Sequence, residues 1–402
     1  MKDTVEYWQN ANPIKVNDNP ISFTSAAEHV GVVRSTSGNL PAIQARISAH
    51  KKALGAVLHA GLGRSHRANP TASIRIQQIY GNSVLFSGIA SLVLNSHEHN
   101  IVAQHHKETL SNLQRLLPLT PRSVIYFLAG TLPGAAFVHL RQLSIFSMIL
   151  RLPGNILNSH ARNIFNFVTT SPKSWFHQIR DLCLQYDLPH PLHLLESPPS
   201  KEKFKILVKK KVINFWEQKL RQEASILTSL KFFHPAFMSL SSSHPLWRTA
   251  SSSPTKVAMA TIQARLLSGR YRTESLCRHW STSTSDLCKM STSCQLREDI
   301  PHILQHCSAL QVTRDKLITF TANYCNSHPI ISDIVQTYCK IDCRLFCQFL
   351  LDCSVLPEVI CAVQMYGQEV LEHLFNITRI WTYSLHRDRL KLLGRWRNFS
   401  KQ

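Results

Sequence analysis

Pro41-Ala-Ile-Gln-Ala-Arg-Ile-Ser-Ala-His-Lys-Lys-Ala-Leu-Gly-Ala-Val-Leu58 sets the architecture of this chain. Ile43, Ile47, Leu54, Val57 and Leu58 recur at the spacing of one helical face, while Arg46, His50 and Lys51 fall on another. Upstream, residues 1–40 read as extended. Ile21-Ser-Phe-Thr24 alternates, Glu28–Arg34 reads as a strand, and Ser35-Thr-Ser-Gly-Asn39 as a turn into the helix. These strands are too few to close a sheet of their own. Downstream the helical period persists. Helices are predicted over 70–80, with Asn69 as N-cap and Pro70 at the first helical position, then over 84–95 and 97–116. More follow over 133–150, 160–169, 174–186, 201–222 and 255–267, separated by proline-rich loops at 188–200 and 239–254. Three further helical stretches are expected past Ser308, ending in 380–396. The fold class is mainly α. No apolar run reaches the roughly 20 residues of a bilayer span.

The chain has 402 residues with 45 Lys plus Arg against 24 Asp plus Glu, a formal charge of +21. Self-repulsion of that size favours a polyanionic partner. The charge is spread along the chain rather than gathered in one amphipathic stretch, which points to nucleic acid and away from a membrane surface. Candidate contacts are Arg46, Lys51 and Lys52; Lys209, Lys210 and Lys211; and Arg265, Arg270, Tyr271 and Arg272. A last cluster, Arg387, Arg389, Lys391, Arg395 and Arg397, lies near Trp381, Trp396 and Phe399. Arginine grips phosphate through two N–H groups, and an aromatic ring can stack on an unpaired base.

Cysteines carry the second signal. Ten of the eleven fall between Cys277 and Cys361, the number is odd, and the start Met1-Lys-Asp-Thr-Val-Glu6 is polar. Reduced thiols in a soluble intracellular protein of nucleus and cytoplasm are expected. Cys288-x5-Cys294-x7-His302-x4-Cys307 supplies a zinc-ligand set of the closed, structural kind. Asp299 is placed to cap the turn that carries His302, and Pro301 suits its first residue. The five-residue first gap is longer than the usual two to four, so Cys277 with His279, or His306 for His302, are competing ligands. Cys339, Cys343 and Cys347, at i, i+4 and i+8, read as one helical face packed in the core. Neither a Gly-x-Ser-x-Gly elbow nor a phosphate-cradling Gly-x4-Gly-Lys loop occurs. Two-metal chemistry needs clustered carboxylates. The nearest approach is Glu298-Asp299, which capping explains equally well.

Several stretches together resemble the C-terminal half of LINE-type (non-LTR) retrotransposon reverse transcriptases. Ser25-Ala-Ala-Glu-His-Val-Gly-Val-Val-Arg34, Gly38-Asn-Leu-Pro-Ala-Ile43 and Arg46-Ile-Ser-Ala-His-Lys-Lys52 are similar to the end of the palm and the entry to the thumb. Ser87–Leu94, Pro153–Leu157, Lys173–Phe176, Leu188–Leu192, Phe233–Leu240 and Gln263–Arg272 follow in family order, ahead of a terminal zinc-knuckle-like segment. The resemblance implies a palm remnant with a hairpin (1–40), a thumb-like bundle (41–118), a helical connector (119–254), a basic helix with the CCHC segment (255–310) and a helical tail (311–402). It implies a primer-grip-like role for Glu28, His29, Val30, Gly31 and Val32, and puts Arg46, Lys51 and Lys52 against duplex backbone. Template RNA and RNA–DNA or DNA duplex are the implied partners, with no small-molecule substrate. The family's catalytic Asp pair does not occur in these residues, so no polymerisation by this chain alone is expected, and magnesium belongs to the complete polymerase. The alternative is a zinc-stabilised intracellular interaction protein, a domesticated relic with a protein partner.

Overall fold

Ala26–His29 pairs antiparallel with Val32–Ser35, in the register Ala26 to Ser35 through His29 to Val32. Glu28–Arg34, which the sequence suggests is one strand, is therefore two strands of a hairpin. A second, two-residue ladder joins Lys15–Val16 to Asn19–Pro20. Neither ladder extends into a larger sheet among the described residues, and their remaining regular structure is helical apart from one isolated bridge. The computed structural model describes residues 15–394 except 17–18, 21–23, 25, 30–31, 58–68, 153–155, 167–173, 252, 280–284 and 340–341. Val30, Gly31 and the basic residues Arg395 and Arg397 lie outside the described residues.

Two compact units emerge, each assembled from separated stretches. One comprises Met1–His59, Ile76–His106 and Pro133–Phe215; the other Ala60–Arg75, Lys107–Leu132 and Trp216–Gln402.

In the first unit the helix Leu40–Val57 packs Ala42 and Ile43 into a core with Leu85, Phe86, Ile89, Leu92, Leu94, Val102 and Val138. Val33 of the hairpin joins its edge, which anchors the strand pair on the helix. His50, expected on the polar face, is instead fully buried. Its Nε2 lies 3.0 Å from Gln77 Oε1, its Nδ1 lies 2.9 Å from His105 Nε2, and Gln77 donates in turn to Asn82. This network explains the π-helical turn Gln77–Gly81 that interrupts the helical run from Pro70 to Leu85. The wider turn folds Gln77 back over Gly81, where a Cβ would sit 2.0 Å from Oε1.

The helix expected over 84–95 does not form. The chain turns at Gly88 (φ 72°), makes one short 3-10 turn, Ile89–Ser91, and runs on extended. Its apolar residues are buried on every side, so their run carries no period that separates helix from strand. Trp175 and Gln178, on the helix Trp175–Gln185, donate to the Ala90 and Leu94 carbonyls and hold the segment in place.

In the second unit the helix Glu369–Leu392 is central, packed by Pro254–Leu267, Gln311–Cys325, Cys343–Leu351 and Pro357–Tyr366. Among the described residues five α-helices follow Ser308 rather than three, because breaks after Cys325, Leu351 and Tyr366 interrupt the run and a separate helix begins at Cys343. Cys339 closes the helix Pro329–Cys339, and Cys343 opens the next, whose Arg344 amide donates to Asp342. The three cysteines therefore do not share one helical face, although Cys347 is fully buried as packing required. Arg122–Ala129 is a helix that the proline and glycine pattern concealed. It ends at Gly130 (φ 61°), where a Cβ would meet the Ser242 backbone at 2.1 Å. Among the described residues no single helix is long and apolar enough to cross a membrane.

Two buried histidines make the fold sensitive to acid. Burial first, then the proximity of His50 and His105, depresses His106 to about 3. Burial first, then Arg389 and Arg265, depresses His386 to about 3. The unfolded chain protonates both near pH 6.5 while the folded chain refuses the protons. Stability is therefore intact above pH 6.5 and falls as pH drops toward 3, by up to about 1.4 kcal/mol per pH unit for each histidine. Denaturant melts at pH 7, 6 and 5 should show this slope, and His106→Leu should remove one proton's share of it. An unchanged slope in that variant would exonerate His106.

Candidate metal centre

The four ligands sit on two small structures joined by the run from Cys294 to His302. The first is a tight β-loop closed by the bridge between Leu287 and Arg297. Within it the Cys288 amide donates to the Leu296 carbonyl (2.9 Å), the Glu298 amide to Asp286 (2.8 Å) and the Cys294 amide to Ser291 (3.2 Å). The long first gap is thus the length of a loop that folds back on itself. The second is a π-helical turn, His302–His306, with Asp299 accepting from the His302 amide at 2.9 Å, as the capping pattern predicts. In an α-helix, residues five apart point about 140° away from each other. The π turn bonds i to i+5, here the Cys307 amide to the His302 carbonyl at 2.8 Å, and so brings both side chains to one side.

Cys288 Sγ and Cys307 Sγ are 3.8 Å apart, and Cys294 Sγ and His302 Nε2 are 3.6 Å apart. All four ligand atoms lie within 4.8 Å of one another and all four residues are buried. Zinc bonds of about 2.3 Å to sulfur and about 2.0–2.1 Å to nitrogen give tetrahedral edges of about 3.8 Å (S–S) and about 3.6 Å (S–N). Both observed pairs fit that figure, so the cluster can hold a metal ion such as zinc. No other group of three or more His, Cys, Asp or Glu among the described residues converges in this way. The competing ligands are placed elsewhere: Cys277 is outside the cluster, and His306 Nε2 contacts Cys343 Sγ at 3.0 Å.

Burial, together with the Cys307 and Cys294 thiols, pushes the Cys288 thiol up to about 12, and burial likewise raises Cys307. Burial lowers the pKa of His302, which keeps its ring neutral and its nitrogen available. A dication at the centre reverses the penalty on the thiolates. Backbone amides of Met290 toward Cys288, and of Ala309 and Leu310 toward Cys307, supply N–H donors to the sulfurs. Arg314 donates to the Cys307 carbonyl and to Gln311.

One contact fastens this loop to the unit's central helix. Fully buried Glu298, between Cys294 and His302 in sequence, accepts from Arg389 (2.5 Å) and from the Glu274 amide (3.0 Å). The Arg389 guanidinium also lies over the Tyr271 ring at 5.4 Å, and the Tyr271 hydroxyl is 2.5 Å from His386 Nδ1.

Among the residues expected to touch nucleic acid, Lys51, Lys52, Lys209, Lys210 and Arg272 are exposed, and Arg46 and Arg270 half-buried. Lys211 is paired with Asp187 at 2.5 Å. Tyr271 is only 5% exposed, and its contacts with Arg389 and His386 make it a packing residue rather than a stacking platform. Arg265 turns inward and donates to the Arg115 carbonyl at 3.0 Å. Trp381 is buried and donates to Thr321, and Arg387 and Lys391 pair with Asp388. Glu28 is exposed on the hairpin, where His29 and Val32 pair with each other. Comparison with protein-family models, with curated proteins and with solved structures returned no match.

Proposed function

We propose that this chain is a nucleic-acid-binding segment of a LINE-type RNA-directed DNA polymerase, organised by one structural zinc, that grips template RNA and primer–template duplex without transferring phosphoryl groups itself. The observation that supports this most is the buried cluster of three cysteine sulfurs and one histidine nitrogen, all within 4.8 Å of one another, within a chain of formal charge +21. A four-ligand site leaves no open coordination position for a substrate, so zinc would act by fixing shape. In this reading magnesium and the carboxylates that hold it belong to the complete polymerase. The contact set narrows to cations that solvent reaches: Lys51, Lys52, Lys209, Lys210, Arg270 and Arg272, with Arg46 beside them in sequence. The hairpin at 26–35 keeps its primer-grip-like role through exposed Glu28.

Binding of this kind releases counterions. Affinity for an RNA–DNA duplex should fall on the order of a thousandfold between about 50 and about 200 mM salt if six phosphates are neutralised. Fluorescence anisotropy across that range reads the slope directly. A duplex affinity that ignores salt, or no binding at low salt, refutes the proposal and favours a protein partner for the same zinc-organised scaffold.

A further inference from the structure

Beside the metal loop, within the second unit, lies an open cleft of about 570 Å³. Its charged lining is Lys231, Arg270, Arg297 and Asp299; His279, Thr228 and Ser229 also line it, and the exposed Ile226 and Leu227 form an apolar lip. We infer that this cleft seats one phosphate of a single-stranded nucleic acid together with its attached nucleoside. The inference rests on the nucleic-acid reading above and names where a strand, as opposed to a duplex, is held.

Four observations support it. First, the neighbouring cations Arg278 and Lys289 are already neutralised, while among the described residues two of the cleft's three, Arg270 and Lys231, are not. Arg278 pairs with Asp286 at 3.0 Å and Lys289 with Glu274 at 2.6 Å. No ion pair engages Arg270 or Lys231 among the described residues, and Arg297 is held by Ser275 (2.8 Å) with Asp286 at 3.8 Å. Second, Arg270 Nε is shut off from solvent and makes no hydrogen bond. A buried N–H without an acceptor is costly, and a guanidinium fork is shaped for the paired oxygens of a phosphate. Third, the cleft is preformed. Gly269 holds a left-handed conformation (φ 64°) with the Ser229 carbonyl 2.1 Å from where a Cβ would stand, so the two walls meet backbone to backbone and only glycine fits. Fourth, the size falls within the roughly 300–1,000 Å³ of small-molecule sites. The lip is apolar as well: Ile226 is 73% exposed and Leu227 38%, a surface that a base could cover. Asp299 is spoken for by the His302 amide, and its one negative charge leaves the cleft cationic.

The test uses the full zinc-loaded chain and a fluorescent single-stranded RNA dodecamer. Arg270→Gln should weaken binding about tenfold and flatten the log–log salt slope by about 0.7, the share of one phosphate on a single strand. Arg278→Gln, at an exposed neighbour outside the cleft that is paired with Asp286, should cost much less. Uridine monophosphate should displace the RNA more effectively than inorganic phosphate does, and only from chains that retain Arg270. Equal losses in the two variants, or none in Arg270→Gln, overturn the seat and leave a diffuse charge effect. Equal competition by inorganic phosphate reduces the site to a small-anion pocket and overturns the nucleoside half. Displacement by polyglutamate as strong as by RNA overturns it in favour of an acidic protein. A parent chain that binds no RNA even at low salt overturns the wider functional reading, whereas binding that Arg270→Gln leaves unchanged overturns the seat alone.

Discussion

His302→Ala is expected to abolish stoichiometric zinc binding and to melt the loop and turn of residues 285–310 while the helices around Glu369–Leu392 persist. The expectation follows from how little regular secondary structure the stretch has; besides a metal, it is held by the Glu298–Arg389 pair and by the buried Ile303, Leu304 and Leu310. It contains one isolated bridge, one π turn, one 3-10 turn and three cysteines, of which Cys288 and Cys307 have thiols that burial makes hard to ionise without a cation. Structural zinc sites in small modules contribute about 10–16 kcal/mol of apparent binding energy at neutral pH, and here that energy would be folding energy for the segment. Replacing one of four ligands forfeits most of it. Metal content by mass spectrometry gives the stoichiometry, and hydrogen exchange over 285–310 gives the local unfolding. Two controls sharpen the result. His306→Ala should keep full zinc, because its ring nitrogen is engaged with Cys343. Cys277→Ser should do the same, because Cys277 lies outside the cluster. A His302→Ala chain with full zinc, or a His306→Ala chain without it, would discard the ligand set.

That the cluster of Cys288, Cys294, His302 and Cys307 was legible in the sequence, despite the long first gap, has a physical basis. Ligand chemistry restricts the choice to Cys and His, and both are informative in a reduced, basic chain. What spacing could not reveal was the backbone that brings them together. A five-residue separation on an α-helix misdirects the second ligand, and only the π turn at 302–306 corrects it. The fold was legible where apolar residues alternate with polar ones: Leu40–Val57, Ser96–Leu113 and Lys201–Ile226 begin within about two residues of where the periodicity places them. It was illegible where burial surrounds a segment, as at 86–95, and where polar residues satisfy each other in the interior. His50 looks like a surface residue until Gln77 and His105 are folded against it. Tyr271 and Arg389 looked like an aromatic and a cation of two separate basic clusters. Their pairing spans more than a hundred positions and no local pattern encodes it.

That same long-range pairing carries the second large effect. Arg389→Ala should destabilise the second unit by about 3–5 kcal/mol, the usual result of removing one member of a buried pair and leaving the other charged. Glu298 would be stranded with no exposed surface, losing its 2.5 Å partner and keeping only the Glu274 amide. The Tyr271 ring would lose the guanidinium that covers it. Truncating Glu298 to Ala should cost a similar amount for the converse reason. The double variant Glu298→Leu/Arg389→Met removes both charges and fills the space, so it should recover much of the loss. Denaturant melts of the parent, the alanine variants and the double variant read these losses, and Glu298→Leu and Arg389→Met as single variants close the cycle. The coupling also has a direction in space. Glu298 lies in the metal loop and Arg389 on the central helix, so Arg389→Ala should speed hydrogen exchange in 285–299 even with zinc bound. If the single variants melt like the parent, the pair is not what joins loop to helix. If the double variant is no better than either single one, the loss reflects packing around Tyr271 rather than stranded charge.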